Sequence, residues 1–147
     1  MKFENILFTK PEKILKRFLN LKKSFNNKFL VRIQMHEMSI VQSLVELCEK
    51  NLNENGGGEI KEIVVKVGRL SGVEAHYLQS CYDVFRQGTV CENAELKINI
   101  QDVVIECEKC GYNGILEQNN FICPKCESRN LKVTDGEDLY LMQLVIE

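Results

Sequence analysis

Four cysteines in two C-x-x-C pairs are the residues of this 147-residue chain whose spacing points most directly to chemistry. The pairs are Cys107-Glu-Lys-Cys110 and Cys123-Pro-Lys-Cys126, with twelve residues between them. Two such turns can close four thiolates into a tetrahedron, the geometry that Zn²⁺ adopts with sulfur ligands. Because sulfur then fills all four positions and no water can bind the metal, the pattern predicts a structural zinc ribbon rather than a catalytic zinc.

The alternative for these cysteines is a thioredoxin-type redox pair. That motif needs one C-x-x-C at the start of a helix in a βαβ unit, and neither pair has this context. The other thiols, Cys48, Cys81 and Cys91, lack paired spacing, and the first two fall on apolar helix faces, as expected of buried cysteines that act as small hydrophobes. The odd total of seven favours a reducing, cytoplasmic compartment over a disulfide framework.

The second candidate site is Met35-His36-Glu37, which contains one of only two histidines in the chain. If Met35 were the first residue, its amine, the following backbone nitrogens and the imidazole would lie close together. Nitrogen-rich ligation of this kind suits Ni²⁺ or Cu²⁺. A lone histidine is more often structural, so that alternative stays open for His36. The other histidine, His76, is interpreted as a surface residue of a helix.

Charge divides the chain into two parts. Residues 1–34 carry nine Lys/Arg and two Asp/Glu, whereas residues 35–147 carry ten and nineteen. The acidic second part argues against non-specific nucleic-acid binding, which needs cations facing phosphates. The basic first part is interpreted as a disordered extension or the product of a mis-assigned start, with a membrane-surface or partner-binding helix as the alternative. No apolar run approaches the roughly 18 residues of a membrane span.

Hydrophobic periodicity predicts the elements that position both sites. We expect a helix over about Met38–Leu52 and a second over Glu74–Gln87, with Tyr77, Cys81, Val84 and Phe85 on its buried face. Three strands are predicted: Glu59–Gly68, Ala94–Gln101 with Leu96, Ile98 and Ile100 inward, and Asp138–Glu147.

The order of these elements indicates an α+β fold: a small three-stranded sheet with two helices, plus an inserted four-cysteine zinc-ribbon module. The predicted domains are residues 35–104 together with 133–147, and residues 105–132 for the zinc ribbon.

Several segments together resemble the hydrogenase nickel incorporation proteins of the HypA type. The resemblance begins with Met35-His36-Glu37-Met38-Ser39 and continues through Val67–Glu74. It then covers, in order, Gly88-Thr89, Ala94-Glu95-Leu96, both cysteine pairs, Cys126-Glu127-Ser128 and Gly136-Glu137-Asp138-Leu139.

The resemblance implies a nickel metallochaperone, not an enzyme. It implies Ni²⁺ binding by Met35, His36 and Glu37, with Glu74 as a further acidic ligand, and structural Zn²⁺ on Cys107, Cys110, Cys123 and Cys126. It also implies work with a HypB-type GTPase and the [NiFe]-hydrogenase large subunit, and in some members with urease and its accessory factors.

Two departures from the family pattern are visible. Thirty-four residues precede Met35, so in this chain its nitrogen is an amide and cannot ligate as an amine. The second knuckle reads Cys126-Glu127-Ser128 where glycine is usual after the cysteine.

Two other classes of function are the alternatives. The first is a zinc-ribbon module for transcription or nucleic-acid binding, but the net negative charge of residues 35–147 argues against it. An enzyme is opposed by the lack of a paired nucleophile and base, and Gly56-Gly57-Gly58 lacks the lysine and preceding strand of a phosphate-binding loop.

Overall fold

Two helices and seven strands make up the described part of the chain. The structure is a computed structural model that describes the backbone of residues 4–13 and 29–36 and all atoms of residues 37–117 and 120–147. In chain order the elements are β1 (Glu4–Lys13), α1 (Phe29–Glu54), β2 (Ile60–Gly68), α2 (Ala75–Phe85), β3 (Glu95–Gln101), β4 (Val104–Cys107), β5 (Asn113–Ile115), β6 (Leu131–Asp135) and β7 (Leu139–Ile146).

The main sheet has four strands in the order β1-β7-β2-β3. β2 and β3 are parallel and are joined through α2, whereas β7 is antiparallel to both β2 and β1. The α+β class with two helices is confirmed. The predicted count of three strands is wrong, because β1 pairs with the edge of β7 that the three predicted strands would leave open.

The first 34 residues hold more regular structure than predicted. Glu4–Lys13 is a strand, and α1 begins at Phe29 rather than at Met38. Ile14, Leu15, Phe18, Leu19 and Leu21, which could form a basic amphipathic helix, lie outside the described residues. α1 ends at Glu54, two residues beyond the predicted Leu52, and Gly56, Gly57 and Gly58 follow with positive φ, a conformation that a helix cannot continue.

The core lies between the helices and one face of the main sheet. α1 buries a stripe at three- and four-residue spacing, and β2 and β7 bury alternate residues against it. The largest fully buried aliphatic side chains in this core are Ile40, Leu44, Ile60, Ile63, Leu78, Leu139, Leu141 and Leu144.

The predicted buried face of α2 is partly wrong. Leu78 and Tyr82 are fully buried, whereas Tyr77 and Val84 are 43% and 72% exposed. The Tyr82 hydroxyl decides the orientation, because it donates to the carbonyl oxygen of Ala94 at 2.6 Å, beyond the end of the helix. Ile100, predicted to point inward from β3, is 47% exposed.

The second sheet, in the order β5-β4-β6, carries the cysteine pairs. It runs from Val104 to Asp135, slightly beyond the predicted 105–132. Gly68 and Gly136 form the junction with the main sheet: the Gly136 oxygen accepts the Leu70 N–H at 2.8 Å, and the Asp138 oxygen accepts the Gly68 N–H at 2.9 Å. A Cβ on Gly68 would lie 2.2 Å from the Gly136 oxygen, so this approach requires glycine.

Candidate metal centre

The four cysteines of the two C-x-x-C pairs converge at one end of the second sheet. Their sulfurs all lie within 4.8 Å of one another, and Cys107–Cys126 and Cys110–Cys123 are each separated by 3.6 Å between Sγ atoms. Four sulfurs about 2.3 Å from a central ion would be about 3.8 Å apart. The predicted cluster is therefore present with spacings that a tetrahedral metal ion fits.

Both halves of the cluster are built by the same backbone turn. The first cysteine of each pair accepts a hydrogen bond from the N–H four residues later, at 2.9 Å from Gly111 to Cys107 and 2.9 Å from Glu127 to Cys123. Its own N–H donates to the carbonyl five residues later, at 2.7 Å to Tyr112 and 2.8 Å to Ser128. This repeat turns both sulfurs of a pair toward the same point.

Backbone amides in these turns favour the thiolate form of two ligands. The N–H groups of Cys110 and Lys109 lower the pKa of Cys107 to about 6, although its burial opposes them. Burial raises the pKa of Cys123, but the amides of Cys126 and Lys125 together with the thiols of Cys110 and Cys126 outweigh that effect and the pKa is lowered. Two thiols of the cluster thus lose their protons more readily than an ordinary cysteine, which favours metal capture because metals bind the thiolate.

Cys126 behaves in the opposite way. The Ser128 amide lowers its pKa, but burial and the neighbouring thiols raise it to about 12. Several like charges cannot share one small volume without a cation, so part of the cluster keeps its protons until a metal arrives. Metal binding at this site therefore releases protons.

The Met35-His36-Glu37 segment lies inside α1. The backbone of Met35 and His36 is helical, and the Glu37 side chain is only 1% exposed. Glu37 faces α2: burial raises the pKa of the Cys81 thiol there, and the Glu37 carboxylate raises it further. This neighbour was missed in the sequence because the two residues lie on different helices and no local spacing links them.

The other predicted positions of this region lie at the start of α2. Glu74 is exposed and occupies the N-cap position with extended backbone angles, φ −87° and ψ 116°. His76 is exposed, as expected of a surface residue, with its ring 5.7 Å from that of Tyr77. The structure brings the four cysteines together, while the roles of Met35, His36, Glu37 and Glu74 as ligands stay predictions.

Comparison with known proteins assigns the family. Residues 35–146 match the family model described as hydrogenase/urease nickel incorporation, metallochaperone, hypA. The chain belongs to the HypA family. The hydrogenase maturation factor HypA of Campylobacter jejuni is 47% identical over 114 residues, which span 77% of this chain and 100% of that protein. The HypA of Aquifex aeolicus is 42% identical over 113 residues, 77% of this chain and 98% of that protein.

Solved HypA structures share the fold. The solution structure of the Ni metallochaperone HypA from Helicobacter pylori is 31% identical, with a TM-score of 0.59 over 75% of this chain and 96% of that one. A second HypA solution structure is 32% identical, with a TM-score of 0.61 over 77% and 97%. The resemblance stated from the sequence is confirmed, and the HypA match starts at Met35, after β1 and the first residues of α1.

Neither helix in the described part of this HypA chain is both long enough and apolar enough to pass through a membrane.

Proposed function

We propose that this HypA family member binds Ni²⁺ and delivers it to the large subunit of [NiFe]-hydrogenase during maturation in the cytoplasm. The observation that carries the proposal is the match of residues 35–146 to the nickel-incorporation family, which opens on the Met-His-Glu motif. The protein acts as a carrier rather than as an enzyme, and nickel is its cargo.

The four-cysteine cluster holds zinc as a permanent structural ion. Zn²⁺ is the metal that suits four sulfurs in a closed tetrahedron, and the 3.6 Å sulfur separations support that donor set. With every coordination position filled by Cys107, Cys110, Cys123 and Cys126, this ion does not exchange readily. Its part in delivery is to hold β4, β5 and β6 in shape.

Nickel binds at a second site, separate from the cysteine cluster. Its ligands come from Met35, His36 and Glu37, with a contribution from Glu74. Imidazole and backbone nitrogen are ligands that Ni²⁺ accepts in planar geometry. Few ligands on one short segment give moderate affinity and rapid exchange, as a carrier needs. The Glu37 side chain is buried and faces α2, so Glu37 is the fixed ligand and the residues before it must rearrange around the metal.

Two partners follow from the family: a HypB-type GTPase that acts with the carrier, and the hydrogenase large subunit that receives the metal. The family description also names urease, so urease and its accessory factors form a second recipient system for the same cargo.

The two histidines give a matched pair of variants to test the nickel site. We expect His36→Ala to lose nickel binding, because it removes the imidazole ligand, and His76→Ala to bind nickel like the parent protein. Nickel binding would be measured by titration calorimetry, with zinc content and melting temperature followed in the same samples. Zinc content and folding should be unchanged in both variants.

Nickel affinity that survives in His36→Ala at the level of the parent would contradict the proposed site. Equal losses in His36→Ala and His76→Ala would show that the binding seen is adventitious histidine binding.

A further inference from the structure

The backbone of the nickel motif lies well inside a helix in this chain. α1 begins at Phe29, so Met35, His36 and Glu37 are its seventh to ninth residues. In an α-helix each N–H donates to the carbonyl four residues earlier, and only the first four N–H groups lack such a partner. The N–H groups of these three residues therefore donate to the carbonyls of residues 31–33.

A helical backbone cannot offer these nitrogens to a metal. An amide nitrogen ligates only after losing its proton, which here is held in a helix hydrogen bond. Two consecutive nitrogens also chelate one ion only when the torsion ψ between them is near 0°, whereas a helix keeps ψ at about −42°. Backbone ligation by Met35–Glu37 thus requires the helix to unwind at this motif.

The structure shows on which side of the motif unwinding can occur. Downstream, Glu37 is 1% exposed and Ile40 and Val41 are fully buried in the core, so the helix is fixed from Glu37 onward. Upstream, residues 29–34 precede the family match, which begins at residue 35. A chain that began at Met35 would have these nitrogens in its first turn, where no helix acceptors exist.

We propose that residues 29–34 act as a helical lock on the nickel site, holding the backbone nitrogens of Met35, His36 and Glu37 in hydrogen bonds. This inference rests on the proposed function and assigns its regulation. The form in which residues 29–34 are helical binds nickel weakly, and unwinding or removal of residues 29–34 gives the high-affinity form.

One substitution opens the lock in the full chain. In Gln34→Pro, residue 34 has no N–H, its ring clashes with the carbonyl of residue 30, and residue 33 is disfavoured in a helical conformation. The helix that remains can begin at this proline, because proline is tolerated in the first turn. It frees the N–H groups of Met35 and His36 without creating a terminal amine. Gln34→Ala keeps the helix and serves as the matched control.

The test titrates Ni²⁺ alone into four zinc-loaded proteins: the full chain, its Gln34→Pro and Gln34→Ala variants, and the chain 35–147. The last spans the residues that match the family model, 35–146, and the residue after them. Relative to the full chain, we expect Gln34→Pro to bind nickel roughly 10- to 30-fold more tightly, the factor for two backbone hydrogen bonds that no longer need breaking. Gln34→Ala should be unchanged, and 35–147 should bind most tightly.

The absorption spectrum provides a second readout. Backbone ligation gives a planar, diamagnetic nickel complex, expected in Gln34→Pro and in 35–147 but not in the full chain at the same nickel concentration. Equal affinity and the same spectrum in all four proteins would overturn the lock and leave the carrier function standing. No nickel binding by any of them, 35–147 included, would overturn the proposed function itself.

Discussion

At the residue scale, Glu127 shows how closely the two cysteine turns repeat one another. Gly111 follows the first pair with φ +76°, and Glu127 follows the second with φ +61°, the only positive φ at a non-glycine residue in the described chain. The same hydrogen bonds form in both turns, so the turn imposes this angle whichever residue is present. An L side chain in the left-handed region costs about 1–2 kcal/mol.

Glu127→Gly is therefore expected to stabilise the zinc module by about 0.5–1 kcal/mol, since glycine relieves the strain but loses more entropy on folding. The measurement is the temperature at which zinc is released to an indicator dye. Glu108→Gly is the control: Glu108 lies in the first turn without a positive φ, so glycine there should lower the release temperature. A drop in both variants would mean that the Glu127 side chain makes a contact worth more than the strain.

At the element scale, a feature could be predicted when its sequence pattern lies within one short segment, and not when it depends on contacts with distant residues. The spacing of Cys107, Cys110, Cys123 and Cys126 and the apolar stripe of α1 are local, and both were confirmed. α2 carries more apolar residues than one face holds, and the choice of Leu78 and Tyr82 over Tyr77 depends on a hydrogen bond to Ala94, outside the helix. β1 could not be predicted because its register is set by β7, more than a hundred residues away.

The junction of β2 with the end of the second sheet gives a prediction on glycine. Gly68→Ala would place a Cβ 2.2 Å from the backbone oxygen of Gly136, which cannot move aside like a flexible side chain. We expect a loss of at least about 3 kcal/mol, at the upper end for single substitutions. Gly72→Ala isolates backbone strain, because its φ is +74° with open space around it, and should cost only about 1 kcal/mol.

Chemical denaturation of the two variants would measure this difference. Equal and small losses would mean that β2 and the Gly136 segment separate at little cost, and that the two sheets are joined less tightly than their hydrogen bonds indicate.

At the scale of the whole molecule, the described chain has one large apolar core and one small unit built around the four cysteines. The main core collects nineteen buried residues from the two helices, from β2, β3 and β7, and from the segment between α2 and β3. Of the described residues near the second sheet, only Val103, Ile105, Cys107 and Cys123 are buried hydrophobics, too few to stabilise a fold without a metal. The sequence points to a separate unit for its own reason, because the segment between the cysteines is short and polar.

This division predicts that zinc removal unfolds one unit and spares the other. Bound zinc supplies on the order of 10–16 kcal/mol of coupled folding in small zinc peptides, so its loss should abolish the structure of β4, β5 and β6. The main sheet keeps its own core and should keep its fold. Amide hydrogen exchange resolves the two units: after chelation, or in Cys107→Ala, protection should be lost from Val104 to Asp135 and retained in β2 and β7.

Cys81→Ala is the control for loss of a thiol, because Cys81 lies on α2 away from the cluster, and it should retain zinc and the protection of both sheets. Loss of protection in the zinc-free protein is also expected at Leu70, whose N–H donates to Gly136 across the junction. If exchange instead rises throughout β2 and β7 on chelation, the two units fold as one. In that case zinc would stabilise the helices that carry the nickel motif, and the carrier would depend on its structural metal to hold its cargo.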